Sequence, residues 1–496
     1  MYLTKLTDQT IKVYKMEHKG LKVSGISFDS RKIKHGMLFA LVKENNQYIS
    51  DALRLGAKAV LCKKRDVNNL SKTVKNILVT DDTRLAAAKI AKDFFPYQPK
   101  YISAVTGTNG KTSVVNFLYE IWKKNNINGA SFGTLGIKYK NVNKRTKLTT
   151  LDAINLHREL DNLKNKKINF LAMEASSHAL EQKRMDKVKV KFALFTNLSR
   201  DHLDYHKDMK KYFFSKKRLF ESLLDKKGKA VICIDNKYGK KIKSICDAKK
   251  ITNISYGYGK QCDWRIVDVN RLPNSTIVTI KNKNNQYNFK CKLIAEYEIE
   301  NLVGAIILAK LNGLKVKKIL EDIENIKKSK GRLKKISMRI KTLSIYIDYA
   351  HTPEALKKSL VALRLVLKLN ARLILVFGCG GERDKGKRKM MGTVAEKYAD
   401  IVFITDDNPR NEDPASIRNE IARYCKKSFN VEGRKKAITK AINIMKKNDI
   451  LLIAGKGHEK TQEIKDKVLL FDDEIVAKEY CYKRLSLWVF YGVLHR

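Results

Sequence analysis

The chain has 496 residues, 43% of them hydrophobic, and only six prolines, a composition that excludes a disordered or collagen-like chain and allows two to four domains with their own cores. Its 102 lysines and arginines against 51 aspartates and glutamates leave a net charge of +51, which attracts anions but identifies none. Lysine is spread along the whole chain, without the arginine- and aromatic-interleaved blocks that stack bases, so the charge reads as compositional bias and no nucleic-acid partner is expected.

Residues 1–97 read as a small α/β domain. Met1-Tyr2-Leu3-Thr4-Lys5 is not expected to open a signal peptide. Phe28-Asp29-Ser30-Arg31 precedes a turn into the strand Gly36 to Leu41, then a helix over Ile49 to Leu55 and a strand over Gly56 to Leu61. Taken alone, Asp29-Ser30-Arg31 reads as a turn. Pro96 and Pro99 mark the linker.

Residues 98–330 alternate strands with helices, the pattern of a largely parallel sheet. The apolar run Tyr101 to Val105 leads into Thr106-Gly107-Thr108-Asn109-Gly110-Lys111-Thr112-Ser113, and Val114, Leu118, Ile121 and Trp122 follow at helical spacing. Strand, glycine turn and helix form the setting of a phosphate-binding loop, with backbone N–H groups and a helix N-terminus turned to phosphate oxygens. Lys111 would reach the β/γ-phosphates of ATP and Thr112 would hold Mg²⁺. The generic pattern has glycine where Val105 stands, so the loop is a variant. Further on, Phe170 to Met173 runs into Glu174-Ala175-Ser176-Ser177-His178, and Phe192 to Phe195 into Thr196 through Asp204. Polar clusters at the carboxyl ends of several strands beside a phosphate loop point to one site.

Residues 331–496 repeat the alternation as a Rossmann-like domain. Ile345 to Ile347 leads into Asp348-Tyr349-Ala350-His351, and Leu373 to Phe377 into Gly378 through Lys385. Ile401 to Ile404 leads into Thr405 through Arg410, and Ile450 to Ile453 into Ala454 through Glu459. The glycines after Phe377 do not make Gly-x-Gly-x-x-Gly, so no dinucleotide is expected. The apolar run Leu485 to Tyr491 is too short to span a bilayer and is expected to pack on this domain; no membrane insertion is expected anywhere. Eight scattered cysteines without Cys-x-x-Cys suggest free thiols in a reducing cytoplasm and no zinc site.

Taken in order, TGTNGKTS, the pair Thr149-Thr150, MEASSHALEQKR, FTNLSRDHLDYH, DYAHTPEAL, FGCGGERDKGKR, TDDNPR and AGKGHE resemble the Mur ligase family, which builds bacterial peptidoglycan precursors. The likeness spans about residues 25–475. It implies a three-domain α/β fold, with an N-terminal domain for a UDP-substrate, a central P-loop ATPase-type domain and a C-terminal amino-acid-binding domain. The implied activity is ATP-dependent amide ligation in the cytoplasm by a monomer, joining meso-diaminopimelate to UDP-N-acetylmuramoyl-L-alanyl-D-glutamate. Alternatives are lysine as the amino acid or, in another class, a basic P-loop nucleic-acid-binding protein.

The resemblance assigns ATP to Gly107, Thr108, Asn109, Gly110, Lys111, Thr112 and Ser113, and Mg²⁺ to Thr112, Glu174, His202 and a carbamate on Lys216. Lys111, Lys216, His202 and Glu174 would be the catalytic set. Lys217 is the less suitable lysine by its position relative to Leu219. Ser30, Thr149, Thr150, Ser176, Gln182 and Arg184 would hold the UDP-muramyl-dipeptide. Arg383, Asp407, Asn408, Pro409, Arg410, Gly455 and Glu459 would meet diaminopimelate. Arg410 is expected to take its second carboxylate, which lysine lacks, so lysine would leave the guanidinium unpaired. The chain departs from the family pattern at Leu151, where proline is usual. The Phe39–Tyr48 segment is about four residues short, and Glu298 replaces an asparagine and is given no nucleotide role.

Overall fold

The computed structural model describes residues 1–42, 45–272, 275–283, 285–337 and 343–482. The apolar run beginning at Leu485 lies outside the described residues, as does part of the shortened segment before Tyr48.

Three main sheets follow one another along the chain, of five, eleven and six strands. The first is parallel except for its edge strand Ile11–Lys15, which runs antiparallel to Ile77–Thr80. The helix Asn46–Arg54 starts three residues earlier than the expected Ile49, because Asn45 caps it by accepting the Gln47 N–H.

The middle of the second sheet is Leu224–Cys233, Val190–Phe195, Tyr101–Thr106, Phe170–Glu174 and Gly129–Gly133, all parallel. Helices cover both faces, so these strands are apolar runs with nearly every residue buried. The helix Glu296–Leu311 is apolar on almost its whole circumference and is correspondingly buried, from Leu302 through Ala309 without a break.

The expectation of a largely parallel sheet holds for that middle and fails at both edges. Trp264–Leu272, Ser275–Asn282 and Asn285–Cys291 form an antiparallel meander at one edge. Gly136–Tyr139 and Val142–Lys144 fold back antiparallel at the other. These strands are polar on one face, and their lysine- and asparagine-rich alternation is masked by the composition of the chain as a whole.

In the third sheet Ser344–Asp348, Ile450–Ala454, Leu373–Phe377 and Ile401–Ile404 are parallel neighbours in that order. Leu373–Phe377 is fully buried throughout, and each such side chain contributes about 1.5–3 kcal/mol on leaving water. Four strands therefore end together, and the loops that follow them share one edge.

Candidate active site

The phosphate loop joins strand Tyr101–Thr106 to helix Lys111–Lys124. Gly107, at φ +150°, lies so close to the next strand that a Cβ there would come within 1.9 Å of Thr196 Oγ1. Gly110 (φ +92°) caps the helix without a side chain, which leaves the first amides free for an anion. Asn109 is held from below: its N–H donates to Asn197 Oδ1 (3.0 Å), and its carbonyl accepts from Thr196 Oγ1 (2.6 Å).

Two lysines converge on this loop. Lys111 Nζ donates to the carbonyls of Gly107 (2.9 Å) and Thr108 (2.8 Å), and Lys216 Nζ donates to the same Gly107 carbonyl at 2.8 Å. Burial pushes the Lys111 ammonium below the usual lysine range, and burial together with the neighbouring Lys111 pushes that of Lys216 well below it. Two buried lysines whose hydrogen bonds among the described residues go to neutral carbonyls make a site that an anion would stabilise strongly.

Thr112 Oγ1 donates to Glu174 Oε2 (3.1 Å), and Glu174 also accepts from the Thr134 N–H (2.7 Å) and hydroxyl (3.2 Å). Arg332 Nη2 donates to Thr112 Oγ1 at 3.2 Å. His202 sits in the left-handed region (φ +54°), with Nε2 3.3 Å from Asp201 Oδ2, and His351 Nε2 from the third sheet lies 3.6 Å from the same oxygen. Burial pushes the His202 imidazole down to about 3, so it is neutral at physiological pH. Thus Thr112 and Glu174 are directly joined, Lys216 is tied to them through the loop, and His202 is bound to Asp201. Among the described residues no three His, Cys, Asp or Glu side chains form a ready-made metal cage, so an ion here would need hydroxyl and phosphate oxygens as well.

Beside the loop, a cavity of about 300 Å³ runs between the second and third sheets, bordered by Gly110, Ser113, Glu300, Asn301, Arg332 and Asp348. Asn301 Oδ1 would be 2.4 Å from a Cβ on Gly110, so the retained asparagine touches the loop. Glu298 faces elsewhere: it accepts the N–H groups of Ile294 (3.2 Å) and Ala295 (3.3 Å) and pairs with Lys328 at 2.9 Å. It caps the helix Glu296–Leu311.

On the other side of Glu174, Thr149, Thr150, Ser176, Gln182 and Arg184 form one network. Thr150 Oγ1 donates to the Glu174 carbonyl (2.7 Å) and lies 3.3 Å from Ser176 Oγ. Arg184 Nη1 donates to the Thr150 carbonyl (3.0 Å) and Nη2 to Gln182 Oε1 (2.7 Å); Thr149 Oγ1 is 3.3 Å from Thr134 Oγ1. Leu151 packs against the core of the second sheet, which anchors this turn without proline. Ser30 is apart from this network. It is buried in a short 3-10 turn capped by Asp29, beside an 810 Å³ cavity that Ser27, Phe28, Asp29 and Arg158 border.

At the edge of the third sheet, Asn408 Nδ2 donates to Glu459 Oε2 (3.0 Å), and the buried Lys456 Nζ donates to Asn408 Oδ1 (2.9 Å) and Glu459 Oε2 (3.1 Å). Gly455 (φ +111°) leaves room for Asp407, whose Oδ2 would be 2.5 Å from a Cβ there. Arg410, next after Pro409, stands in the left-handed region (φ +53°), and its N–H donates to the Glu463 carbonyl (3.1 Å). Arg383 is exposed and donates only weakly to the Glu382 carbonyl (3.4 Å). One expectation is corrected here: Arg410 is not left unpaired without a ligand carboxylate, because its Nε forms an ion pair with Glu463 Oε2 at 2.9 Å. Glu463 lies on a hairpin strand beyond the conspicuous glycine motif, and its sequence carries no signal that it folds back onto Arg410.

The two halves of the site are joined across the sheets. Arg200 makes a two-pronged pair with Asp384 (2.8 and 2.8 Å), and Asn109 Nδ2 donates to Thr352 Oγ1 (3.4 Å). Arg332 and Asp384 went unassigned in the sequence because one basic or acidic residue in so charged a chain carries little signal; the adjoining Gly331 (φ +65°) was the available clue.

A phosphate loop closed over by a second α/β unit defines a nucleotide-using transferase or ligase. Residues 105–309 match the Mur ligase middle domain, and residues 331–457 the Mur ligase glutamate ligase domain. A UDP-N-acetylmuramoyl-L-alanyl-D-glutamate–2,6-diaminopimelate ligase of Rickettsia montanensis is 37% identical over 468 residues, covering 92% of this chain and 96% of that protein. The protein of that name from Anaplasma marginale is 38% identical over 459 residues, covering 91% and 94%. A solved structure of a ligase of the same name superposes with a TM-score of 0.68 at 29% identity, covering 98% of this chain and 99% of the other. The chain belongs to the Mur ligase family of ATP-dependent ligases.

Proposed function

We propose that the chain adds meso-diaminopimelate to the D-glutamate of UDP-N-acetylmuramoyl-L-alanyl-D-glutamate, through an acyl phosphate, in peptidoglycan precursor synthesis. The observation that carries this reading is the near-full-length likeness to relatives of that name. The reading divides the chain into a UDP-substrate domain (1–97), an ATP domain (98–330) and an amino-acid domain (331–496).

A carboxylate is a poor electrophile. Transfer of the γ-phosphoryl group of ATP to the glutamate side chain gives an acyl phosphate, and the amine of diaminopimelate then displaces phosphate. Phosphoryl transfer needs positioning and charge neutralisation above all. Residues Gly107 to Ser113 would cradle the phosphates, with Lys111 on the transferring group. Thr149, Thr150, Ser176, Gln182 and Arg184 would orient the dipeptide beside Glu174, with Ser30 at the nucleotide end. Arg383, Asp407, Asn408, Pro409, Arg410, Gly455 and Glu459 would hold the amino acid across the joint.

The oxygens of Thr112 and Glu174 suit a hard cation, and neutral His202 can donate a lone pair. Lys216 fits only if its charge is removed, as a carbamate on Nζ would do. Mg²⁺ held by these four residues would supply charge neutralisation to the phosphates. The reading also makes the protein a cytoplasmic monomer without a nucleic-acid partner. Among the described residues no helix is long and apolar enough to cross a membrane.

The test is phosphate release with purified protein, ATP and UDP-muramyl-dipeptide, with and without diaminopimelate. Release should require all three substrates. Release independent of the amino acid, or supported by lysine as well as by diaminopimelate, would overturn the reading. Filter binding to nucleic acid across a salt series should show no specific, steeply salt-dependent retention.

A further inference from the structure

His206 is a buried imidazole that the ligase reading leaves without a task. It ends the four-residue turn Leu203–His206, which begins directly after His202. Both flanks of that turn are left-handed, His202 at φ +54° and Lys207 at φ +69°. Residues other than glycine keep that conformation where their surroundings hold them in it. Within the turn, the N–H groups of Tyr205 (3.2 Å) and His206 (2.9 Å) donate to the His202 carbonyl.

Three segments of the chain meet at the His206 ring. Its Nε2 is 2.9 Å from Ser177 Oγ, and its Nδ1 is 3.1 Å from Glu181 Oε2. A carboxylate can accept but not donate, so the ring proton sits on Nδ1, and Nε2 accepts a hydrogen bond from the Ser177 hydroxyl. Ser177 opens the short helix Ser177–Glu181 and follows closely on Glu174. On its other side the ring lies 5.0 Å from that of Tyr212. Tyr212 stands on the helix that carries Lys216, whose Nζ is 4.6 Å from the same tyrosine ring. The Tyr212 hydroxyl in turn lies 3.1 Å from Thr108 Oγ1 in the phosphate loop.

Glu174, His202 and Lys216, three of the four residues read above as ligands of a cation, thus belong to three segments that touch one imidazole. The fourth, Thr112, bonds to Glu174. We propose that His206 is a positioning residue for that cation: its bond to Ser177 and its contact with Tyr212 hold the His202 turn in register with the Glu174 loop and the Lys216 helix. His206 is not itself a ligand, because both its nitrogens are engaged. The turn has a second tie, from Gln182 Nε2 to the Tyr205 hydroxyl (2.9 Å), so its loss of register need not be loss of the fold. The proposal rests on the cation reading above.

The experiment is electron paramagnetic resonance of the whole protein with Mn²⁺ and a non-hydrolysable ATP analogue. It compares the parent with His206→Phe, His206→Gln and Ser177→Ala, after thermal melts have set a temperature at which each is folded. Phenylalanine keeps a ring against Tyr212 but gives Ser177 no acceptor, whereas the glutamine amide oxygen can replace Nε2. Ser177→Ala breaks the same bond by removing one hydroxyl, and it serves if His206→Phe does not fold. In the parent a histidine nitrogen should couple to Mn²⁺. Mn²⁺ affinity should fall by about tenfold or more in His206→Phe and Ser177→Ala, the range for an outer partner of a metal ligand, and the nitrogen coupling should weaken. His206→Gln should recover most of that loss. Unchanged Mn²⁺ affinity and coupling in Ser177→Ala and His206→Phe, whatever their melting temperatures, would overturn the proposal. A loss in His206→Gln as large as in His206→Phe would also overturn it, since the bond to Ser177 would then carry nothing. A parent without histidine coupling to Mn²⁺ would instead remove the cation reading itself, and the proposal with it.

Discussion

Lys216 and its neighbour Lys217 offer a sharp test, because one helix presents them to opposite environments. A helix turns ~100° per residue, and Met209–Arg218 sends Lys216 into the phosphate loop while Lys217 pairs at 2.9 Å with Glu221. In Lys216→Ala the Gly107 carbonyl keeps its bond from Lys111 Nζ (2.9 Å), so no acceptor is orphaned. Loss of packing over the Tyr212 ring, 4.6 Å from Nζ, is offset by removing a desolvated cation beside Lys111. Stability should therefore change by no more than about 2 kcal/mol. Turnover should fall by about 10³-fold or more, the scale of losing one preorganised charge-stabilising group, with small carboxylates restoring a measurable fraction. In Lys217→Ala, Glu221 retains Lys249 at 3.1 Å; the loss is that of one partly exposed helix pair, about 0.3–0.5 kcal/mol, and activity should stay within about twofold. Phosphate release and thermal melts on both variants decide the matter. Equal losses of activity at both positions with intact melts, or near-parent turnover in Lys216→Ala, would refute the reasoning.

Lys111→Ala should lose at least about 10³-fold in turnover at an unchanged melting temperature, since the proposed reading puts its positive charge on the transferred group; near-parent phosphate release would refute the loop assignment. Arg410→Ala should raise the KM for diaminopimelate by about 10²-fold while barely changing that for ATP, as initial-rate kinetics will show. Gly331→Ala should be destabilising by more than about 2 kcal/mol, because its Cβ would lie 2.2 Å from the backbone of Gly457 at a φ of +65°; denaturant unfolding measures this. His157 is buried, its Nε2 bonds the Asp186 carbonyl at 3.0 Å, and burial pushes its imidazole down to about 4. The unfolded chain protonates near 6.5, so stability present above that value falls as the pH drops from about 6.5 towards 4. Between pH 7 and 5 the loss should be about 2 kcal/mol, and His157→Gln should remove that part of the slope in urea unfolding.

The strands of the three sheets were legible in the chain wherever burial is two-sided, since Leu373–Phe377 or Tyr101–Thr106 can hardly be anything else once both faces are covered. The half-polar strands of the meander Trp264–Cys291 were not, because alternation fades against so many lysines and asparagines. Much of the site could also be read locally. Gly107, Gly110, Lys111 and Thr112 fall within one six-residue loop, and the polar clusters after successive strands must gather at one sheet edge. What the sequence could not decide is which side chains meet across that edge. The contacts of Arg332 with Thr112, His351 with Asp201, Arg200 with Asp384 and Glu463 with Arg410 join residues 53 to 220 positions apart, or unite separate sheets. No local periodicity encodes such pairs. The first three follow from how the second and third sheets are set against each other; the fourth follows from a hairpin folding back within the third domain, which turned an arginine expected to stand alone into one half of a charged pair.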